Sequence, residues 1–354
     1  MNLNEGVNVF LNQQSEWLKG EGKFSHIVIS IRIRLARNIA EFPFPHQATP
    51  QQREKILETL FSLKDKISYF KDALFFKMQD LSILDREFLI ERHLISVDHA
   101  HQPDEKGVII SKNEVMSVMV NEEDHLRMQV LKSGFEFKRL WEFINDLDDR
   151  LSEHLNFAFS QDWGYLTACP TNIGTGLRAS VMMHLPGLVL TKRINKLLSI
   201  ISKLNFAIRG LFGEGTQAIG NFFQVSNQVS LGLSEIEIIE NIEGLVKQII
   251  EQEEEARNYL LEKQRYFIED KIWRGYAVLK EARIISSQET LELLSMLRLG
   301  IDLGIIKNIS KSLINEIFIN IQPAHLQKYE GKVLNSQERD IKRASFIREK
   351  LKNV

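Results

Sequence analysis

The sequence predicts an α+β domain followed by a wholly helical one, and three observations carry that reading. β-Branched stretches and amphipathic helical stretches intermingle irregularly as far as about residue 233. From Ser234 onward only helical periodicity remains. At 354 residues and 44% hydrophobic, the chain is long enough to bury one large core and a second, smaller one.

Residues 1–25 are polar and loosely patterned, with Trp17 as an anchor. Alternation then sets in. Ile27, Ile29, Ile31 and Ile33 point one way while Ser30, Arg32 and Arg34 point the other, so a strand presents two guanidinium groups on one face. After an E-F-P-F-P turn, a helix is expected over 51–69, started by Thr49 and Pro50. β-Branched residues predict strands over 108–110 and 115–120, joined by a turn at Lys112, Asn113 and Glu114. Leu140, Trp141, Ile144, Leu147, Leu151 and Leu155 fall at helical spacing with acids opposite, the mark of a helix packed on a sheet. A helix over 188–204 and strands over 205–209 and 222–225 follow. Ser234 and Glu237 form a capping-box pattern that opens a long helix through Ile238, Ile242, Leu245 and Ile249. Further helices are expected over 257–281, 288–301, 309–320 and 336–351, with Ser286 and Glu289 as another capping box. The domain boundary is expected inside the long helix, giving a segment 1–25, a domain 26–254 and a helical domain 255–354.

Composition excludes several classes of function. Forty-five basic residues against 47 acidic ones give a net charge of −2, which offers no general attraction to nucleic acid or an anionic membrane. Any anion site must be local. The single cysteine, Cys169, rules out an internal disulfide and suits a reducing cytosol. There is no long apolar run, and Met1 to Gly20 lacks a signal-peptide core, so a cytoplasmic location is expected.

Two segments concentrate the chemistry: N-E-E-D-H-L-R at 121–127 and T-A-C-P-T-N-I-G-T-G-L-R-A-S at 167–180. Gly174 to Ala179 formally matches a dinucleotide fingerprint. However, it lies outside any clear βαβ unit and has no acid about 20 residues on. The lysine-based phosphate loop is also missing, so arginines must bind any nucleotide. Arg32, Arg34, Arg127, Arg178 and Arg209 sit in or beside turns and strand ends, and their planar forks fit phosphate oxygens. Ordinary surface ion pairing is the alternative for each of them. Crowded carboxylates at Glu122, Glu123 and Asp124 raise one another's proton affinity and can poise a base, unless the turn is simply solvated. Glu214 lies between glycines in a second tight turn. Cys169 is either a tuned thiolate or an ordinary buried cysteine. Asp98, His99, His101 and Asp104 form only a loose cluster, with no second group to complete a metal shell.

In order along the chain, S-x-R-x-R at 30–34, N-E-E-D-H-L-R, C-P-T-N-x-G-T-G-L-R-A-S at 169–180 and R-G-x-x-G-E at 209–214 resemble the motifs of the phosphagen (guanidino) kinases. The resemblance covers about residues 26–250. It is nearest to the bacterial protein arginine kinases for three reasons. Only 29 residues precede Ser30, where kinases of free guanidines carry a helical domain. R-A-S-V-M-M-H-L-P at 178–186 is the form of that subgroup. R-D-x-x-R-A at 339–344 matches its phosphoarginine-sensing motif.

The resemblance implies a mainly antiparallel sheet flanked by helices in the catalytic domain. It implies an ATP site formed by Ser30, Ile31, Arg32, Ile33, Arg34, His93, Arg127, Arg178, Ala179, Ser180, Val181, Met182, Arg209, Gly210, Leu211, Phe212, Gly213 and Glu214. Ile31 stands where the family often has a second serine, which removes one expected phosphate hydrogen bond. Glu123, with Glu122 beside it, and Glu214 correspond to the acids that orient and deprotonate the guanidinium, and Cys169 to the cysteine next to it. Magnesium is expected to be held through the nucleotide and water, with no protein metal ligand. Arg339, Asp340, Ile341, Lys342, Arg343 and Ala344 correspond to an allosteric phosphoarginine site; taken alone, their spacing also fits an exposed charged helix face.

The expected function is ATP-dependent phosphorylation of arginine side chains in proteins, marking them for ATP-dependent proteolysis in stress response and controlling a heat-shock repressor. Expected partners are protein substrates, a zinc-binding activator, an ATP-dependent protease chaperone and a second copy of the chain, with no nucleic acid or membrane. A kinase of free arginine or another small guanidine and an inactive phosphoarginine-binding adapter are the competing readings.

Overall fold

The computed structural model describes residues 6–210 and 219–352. Its centre is one sheet of eight strands: β1 (Val28–Arg37), β2 (Leu74–Lys77), β3 (Gly107–Ile110), β4 (Met116–Val120), β5 (Leu126–Ser133), β8 (Leu177–His184), β9 (Phe206–Gly210) and β10 (Phe222–Asn227). The spatial order is β2-β3-β4-β5-β1-β8-β10-β9, and every neighbouring pair is antiparallel. A separate two-stranded ribbon joins β6 (Phe159–Ser160) to β7 (Gly164–Tyr165).

Period-two alternation decides what each face of the sheet does. Ile31, Ile33, Val130, Ala179, Val181 and Val225 point to a core covered by α1 (Pro50–Ser62), α4 (Phe137–Ser152) and α7 (Glu235–Lys263). The opposite face is apolar toward the β3–β4 side, where Val108, Ile110 and Met119 pack under α2 (Ile83–Glu91) and its neighbour α3 (Val97–His101), and again where Leu131 and Phe222 meet the helical domain. Ile29 does not join Ile31 and Ile33, as simple alternation predicts. The register against β8 shifts between Val28 and Ser30, and this irregularity turns Ile29 toward Trp17 and the helical domain.

α1 ends at Ser62, earlier than its pattern suggests, and the expected helix over 188–204 is two: α5 (Pro186–Leu190) and α6 (Ile194–Lys203). Lys192, at φ 60°, makes the turn between them. α7 runs unbroken past residue 254, and the chain turns at Gln264 before α8 (Arg265–Glu281). The helical domain continues with α9 (Ser287–Asp302), α10 (Lys311–Asn320), α11 (Pro323–Glu330) and α12 (Ser336–Lys350). The capping boxes at Thr49 and Ser234 form with both reciprocal bonds, while Ser286 accepts from the backbone of Glu289. The sequence reading places no element at β5, β8, α2, α3 or α11. In β5 and β8 the polar residues Arg127, Gln129, Arg178 and Ser180 mask the alternation. No helix among the described residues is long and apolar enough to cross a membrane.

Buried ion pairs tie the parts together. Arg92 pairs with Glu114, both side chains almost wholly buried, and also donates to Ser15 Oγ and the Gln13 carbonyl. This explains why Glu114, a turn residue at φ 60°, points inward. In the seam between the domains, Glu253 accepts from the backbone of Gly187 and Leu188, while Arg257 donates to Glu253 and to the carbonyls of His26 and His184. Removing one partner of such a pair strands a buried charge. Glu114→Gln is therefore expected to lower stability by about 3–5 kcal/mol, read by urea denaturation; a loss within about 0.5 kcal/mol, the range of ordinary surface changes, would show that the pair is not structural.

Candidate active site

Antiparallel register aligns the polar residues of five strands on the open face of the sheet. Arg34 lies opposite Gln129 of β5 and Arg178 of β8, and Arg32 lies opposite Ser180. Ser30 meets Met182, Met182 meets Gln224, and Gln224 meets Arg209 on β9. Arg127 takes the corresponding position on β5 opposite Ala36. All five arginines singled out in the sequence thus share one face. Ile31, Ile33, Ala179 and Val181 alternate with them and are core residues on the other face; their backbones, not their side chains, belong to the site. Gly210 ends β9, while Leu211, Phe212, Gly213 and Glu214 lie outside the described residues.

This gathering of like charges has a visible electrostatic cost. Burial, then the charges of Arg127, Arg178 and Arg209, lower the Arg32 guanidinium to about 10. Burial and the charges of Arg32, Arg127 and Arg178 hold Arg34 well below the usual arginine range, with Glu122 opposing. Arg34 Nε is buried without a hydrogen-bond partner among the described residues. Arg32 donates to Gln224 Oε1 at 3.1 Å. Such a face calls for a multiply charged anion, and a polyphosphate suits its row of planar donors. His93 adjoins it at φ 60°, edge-on to Trp17 at 5.1 Å; burial, then the charge of Arg32, takes it down to about 3.

The acidic segment forms the tight turn between β4 and β5, closed by Asn121 N donating to the His125 carbonyl at 3.0 Å. Its three carboxylates have different environments. Glu122 is buried, accepting from Arg127 Nη1 and Ser96 Oγ, each at 2.5 Å. Burial raises its pKa, but the charge of Arg127 and these hydrogen bonds outweigh that and bring it down to about 2. It is held in its ionised form as the partner of Arg127. Glu123 is exposed, and its pKa is raised by partial burial, then by Asp124 and Glu122. It lines an open cavity of about 660 Å³ together with His46, Glu105 and Ala168. Asp124 is buried and accepts from Asn38 Nδ2 at 2.6 Å and from the Ala168 backbone at 2.7 Å. Asn38 also donates to the Leu166 carbonyl and accepts from His125 N.

Asn38 and Asp124 thus clamp the acidic turn to the segment carrying Cys169, and the two motifs become walls of one site. The Cys169 sulfur lies 3.0 Å from Thr171 Oγ1. Neither clamp residue is singled out by sequence reasoning. Asn38 directly follows the first arginine strand, but only its partners distinguish it from any other strand-end asparagine. The glycines of the second motif serve packing. A Cβ on Gly176, at φ 65°, would come within 2.6 Å of the Ala36 carbonyl and 2.7 Å of Arg37 Nη1. That close approach lets Arg37 reach the Thr175 carbonyl while pairing with buried Asp148.

The C-terminal motif lies on α12. Arg343 is buried, donating to the Ile321 and Ile285 carbonyls and pairing with Asp340. Arg339 donates to the Leu334 carbonyl and Lys342 pairs with Glu330, whereas Ala344 is core and Ile341 is exposed. His99 is buried with its Nε2 on the Gly107 carbonyl, and no group of three candidate metal ligands occurs among the described residues.

A polyphosphate-binding arginine face beside a solvent-open carboxylate defines the class of an ATP:guanido phosphotransferase, and residues 52–256 match that family's C-terminal catalytic domain. Residues 265–354 match the protein-arginine kinase McsB C-terminal domain. Two curated relatives are the protein-arginine kinases of Halothermothrix orenii and Bacillus subtilis. The first is 48% identical over 99% of this chain and 99% of its own; the second is 45% identical over 95% and 93%. Among solved structures, a lombricine kinase is similar with TM-score 0.59 and 25% identity, covering 68% of this chain and 71% of that one. The duplicated taurocyamine kinase of Schistosoma mansoni gives TM-score 0.60 and 25% identity over 70% of this chain and 36% of that one. The chain belongs to the protein-arginine kinase family of ATP:guanido phosphotransferases.

The carboxylate environment predicts a pH effect. Glu123 ionises above the usual carboxylate range partly because Asp124 is charged. Asp124→Asn keeps an oxygen for Asn38 and Ala168 but removes that charge. The acid limb of the pH–kcat/KM profile should move to lower pH; an unmoved limb would exclude Glu123 as the titrating group.

Proposed function

We propose that the chain is an ATP-dependent protein arginine kinase that transfers the γ-phosphoryl group of ATP to the guanidinium of arginine side chains in proteins. One observation carries this: the clamp of Asn38 and Asp124 brings exposed Glu123 and the Cys169 segment to the edge of the face that holds the five arginines. Arg127 joins the halves, since it lies on that face and is paired with Glu122 in the acidic turn.

A guanidinium loses its proton only near pH 12 or above, so it must be deprotonated as it attacks. Glu123 accepts that proton and aligns the planar fork, with Glu214 as a second acid by the family's pattern. The arginine face neutralises charge on the transferring phosphoryl group. Magnesium, held by nucleotide and water, supplies further charge neutralisation when bound. The cavity bearing Glu123 is wide and open to solvent, which suits an arginine projecting from a protein surface. Arg339 and Asp340, the partly exposed polar residues of the α12 motif, receive phosphoarginine, while Arg343 holds Asp340 in place. In the cytoplasm such a kinase would act as a dimer with a zinc-binding activator. It would mark proteins for an ATP-dependent protease chaperone under stress and regulate a heat-shock repressor.

Incubation with ATP and a protein mixture should yield acid-labile phosphate mapping to arginine, and Glu123→Ala should lower the rate by roughly 10²–10⁴-fold. Phosphorylation of free arginine alone, with none on protein, would reassign the substrate. Asp340→Ala should abolish any response of the rate to added phosphoarginine; an unchanged response would remove the motif from that role.

A further inference from the structure

We infer that the helical domain forms one wall of the nucleotide site, with Phe318, Ile319 and Gln322 contacting the nucleoside of ATP while the arginine face holds its phosphates. This rests on the reading that the arginine face binds ATP. A cavity of about 270 Å³ is lined on one side by Arg32, Arg34 and Arg209 of the sheet, and on the other by the end of α10 and the link to α11. The arginines account for the phosphates. Apart from Glu91, His93, Ser96 and Gln224 on the catalytic-domain side, the rest of the lining is apolar, and the helical domain adds Phe318, Ile319 and the amide of Gln322, a composition that suits a base. Gln322 Nε2 donates to the Phe318 carbonyl at 3.0 Å, and its Oε1 accepts no hydrogen bond among the described residues. That oxygen can accept from an exocyclic amino group.

The wall is fastened to the catalytic domain by the residues that lead into the pocket. Glu91 accepts from the backbone of Ala324 and His325, at 2.7 and 3.0 Å, and from His325 Nδ1 at 2.7 Å, capping the start of α11 from the other domain. Arg92 donates to His325 Nε2 at 3.3 Å, which gives the imidazole one donor and one acceptor role. The next residue, His93, lines the cavity. Arg343 holds the same segment from behind through the Ile321 carbonyl. Phe318 is set edge-on against Phe222 of β10 at 4.8 Å, which fixes the distance between the wall and the sheet.

The test uses the full chain with Gln322→Ala and Ile319→Phe, and measures binding of ATP and of inorganic tripolyphosphate together with KM for ATP and for protein. Each variant should weaken ATP binding by about ten-fold or more. Tripolyphosphate affinity, kcat and the protein KM should stay within about two-fold of the parent. Unchanged ATP affinity in both variants overturns the inference. An equal loss for ATP and tripolyphosphate overturns it too, because the wall would then only support the arginine face. A parent chain that binds neither probe overturns the underlying nucleotide reading instead. If Ile319→Phe melts early, the Gln322→Ala comparison decides alone.

Discussion

The site is arranged around a repulsion: five guanidinium groups share one face of one sheet, where burial and then their mutual charges push Arg32 and Arg34 below the normal arginine range. Like charges in a poorly solvated place disperse unless the backbone prevents it. Here they sit at register positions of β1, β5, β8 and β9, and moving any of them by one residue would exchange it with a core residue on the opposite face. The burial of Ile31, Ile33, Ala179, Val181 and Val225 under the helices therefore holds the arginines against their own repulsion. A polyphosphate on this face would relieve that repulsion.

The acidic turn works by differentiation. Three successive carboxylates would be equivalent in a solvated loop, yet burial and partners give each one task. Glu122 is held ionised by Arg127, Asp124 is consumed by the clamp, and Glu123 is left exposed with a raised proton affinity. The charge of Glu122 also opposes the lowering of Arg34, so the turn and the arginine face are electrically linked through Arg127. The acidic turn and the arginine face are thus adjoining regions of one charge distribution.

The helical domain belongs to the same arrangement. Its contacts with the catalytic domain run through buried polar groups, namely Glu91 and Arg92 with His325 and Arg257 with Glu253, in addition to the apolar cluster around Phe222 and Phe318. Buried hydrogen bonds and ion pairs of this kind are sensitive to geometry, because a small displacement leaves buried polar groups unpaired. The residues that hold the helical domain, Glu91 and Arg92, directly precede His93, which lines the cavity shared with Arg32, Arg34 and Arg209.

The sequence by itself determined the α+β-then-helical order, the helix starts at Thr49 and Ser234, the arginine alternation of β1 and the family, because period, capping chemistry and ordered motifs are local properties. It left β5 and β8 unseen, since Arg127, Gln129, Arg178 and Ser180 occupy the positions where a solvated strand face would also be polar. Composition and spacing could not give Glu122 and Glu123 different environments, nor single out Asn38 or Gln224. Those assignments depend on which chain segments meet. Carboxylates one residue apart acquire opposite proton affinities only when Arg127 approaches one and solvent the other, and that is decided by strand register and by the domain seam.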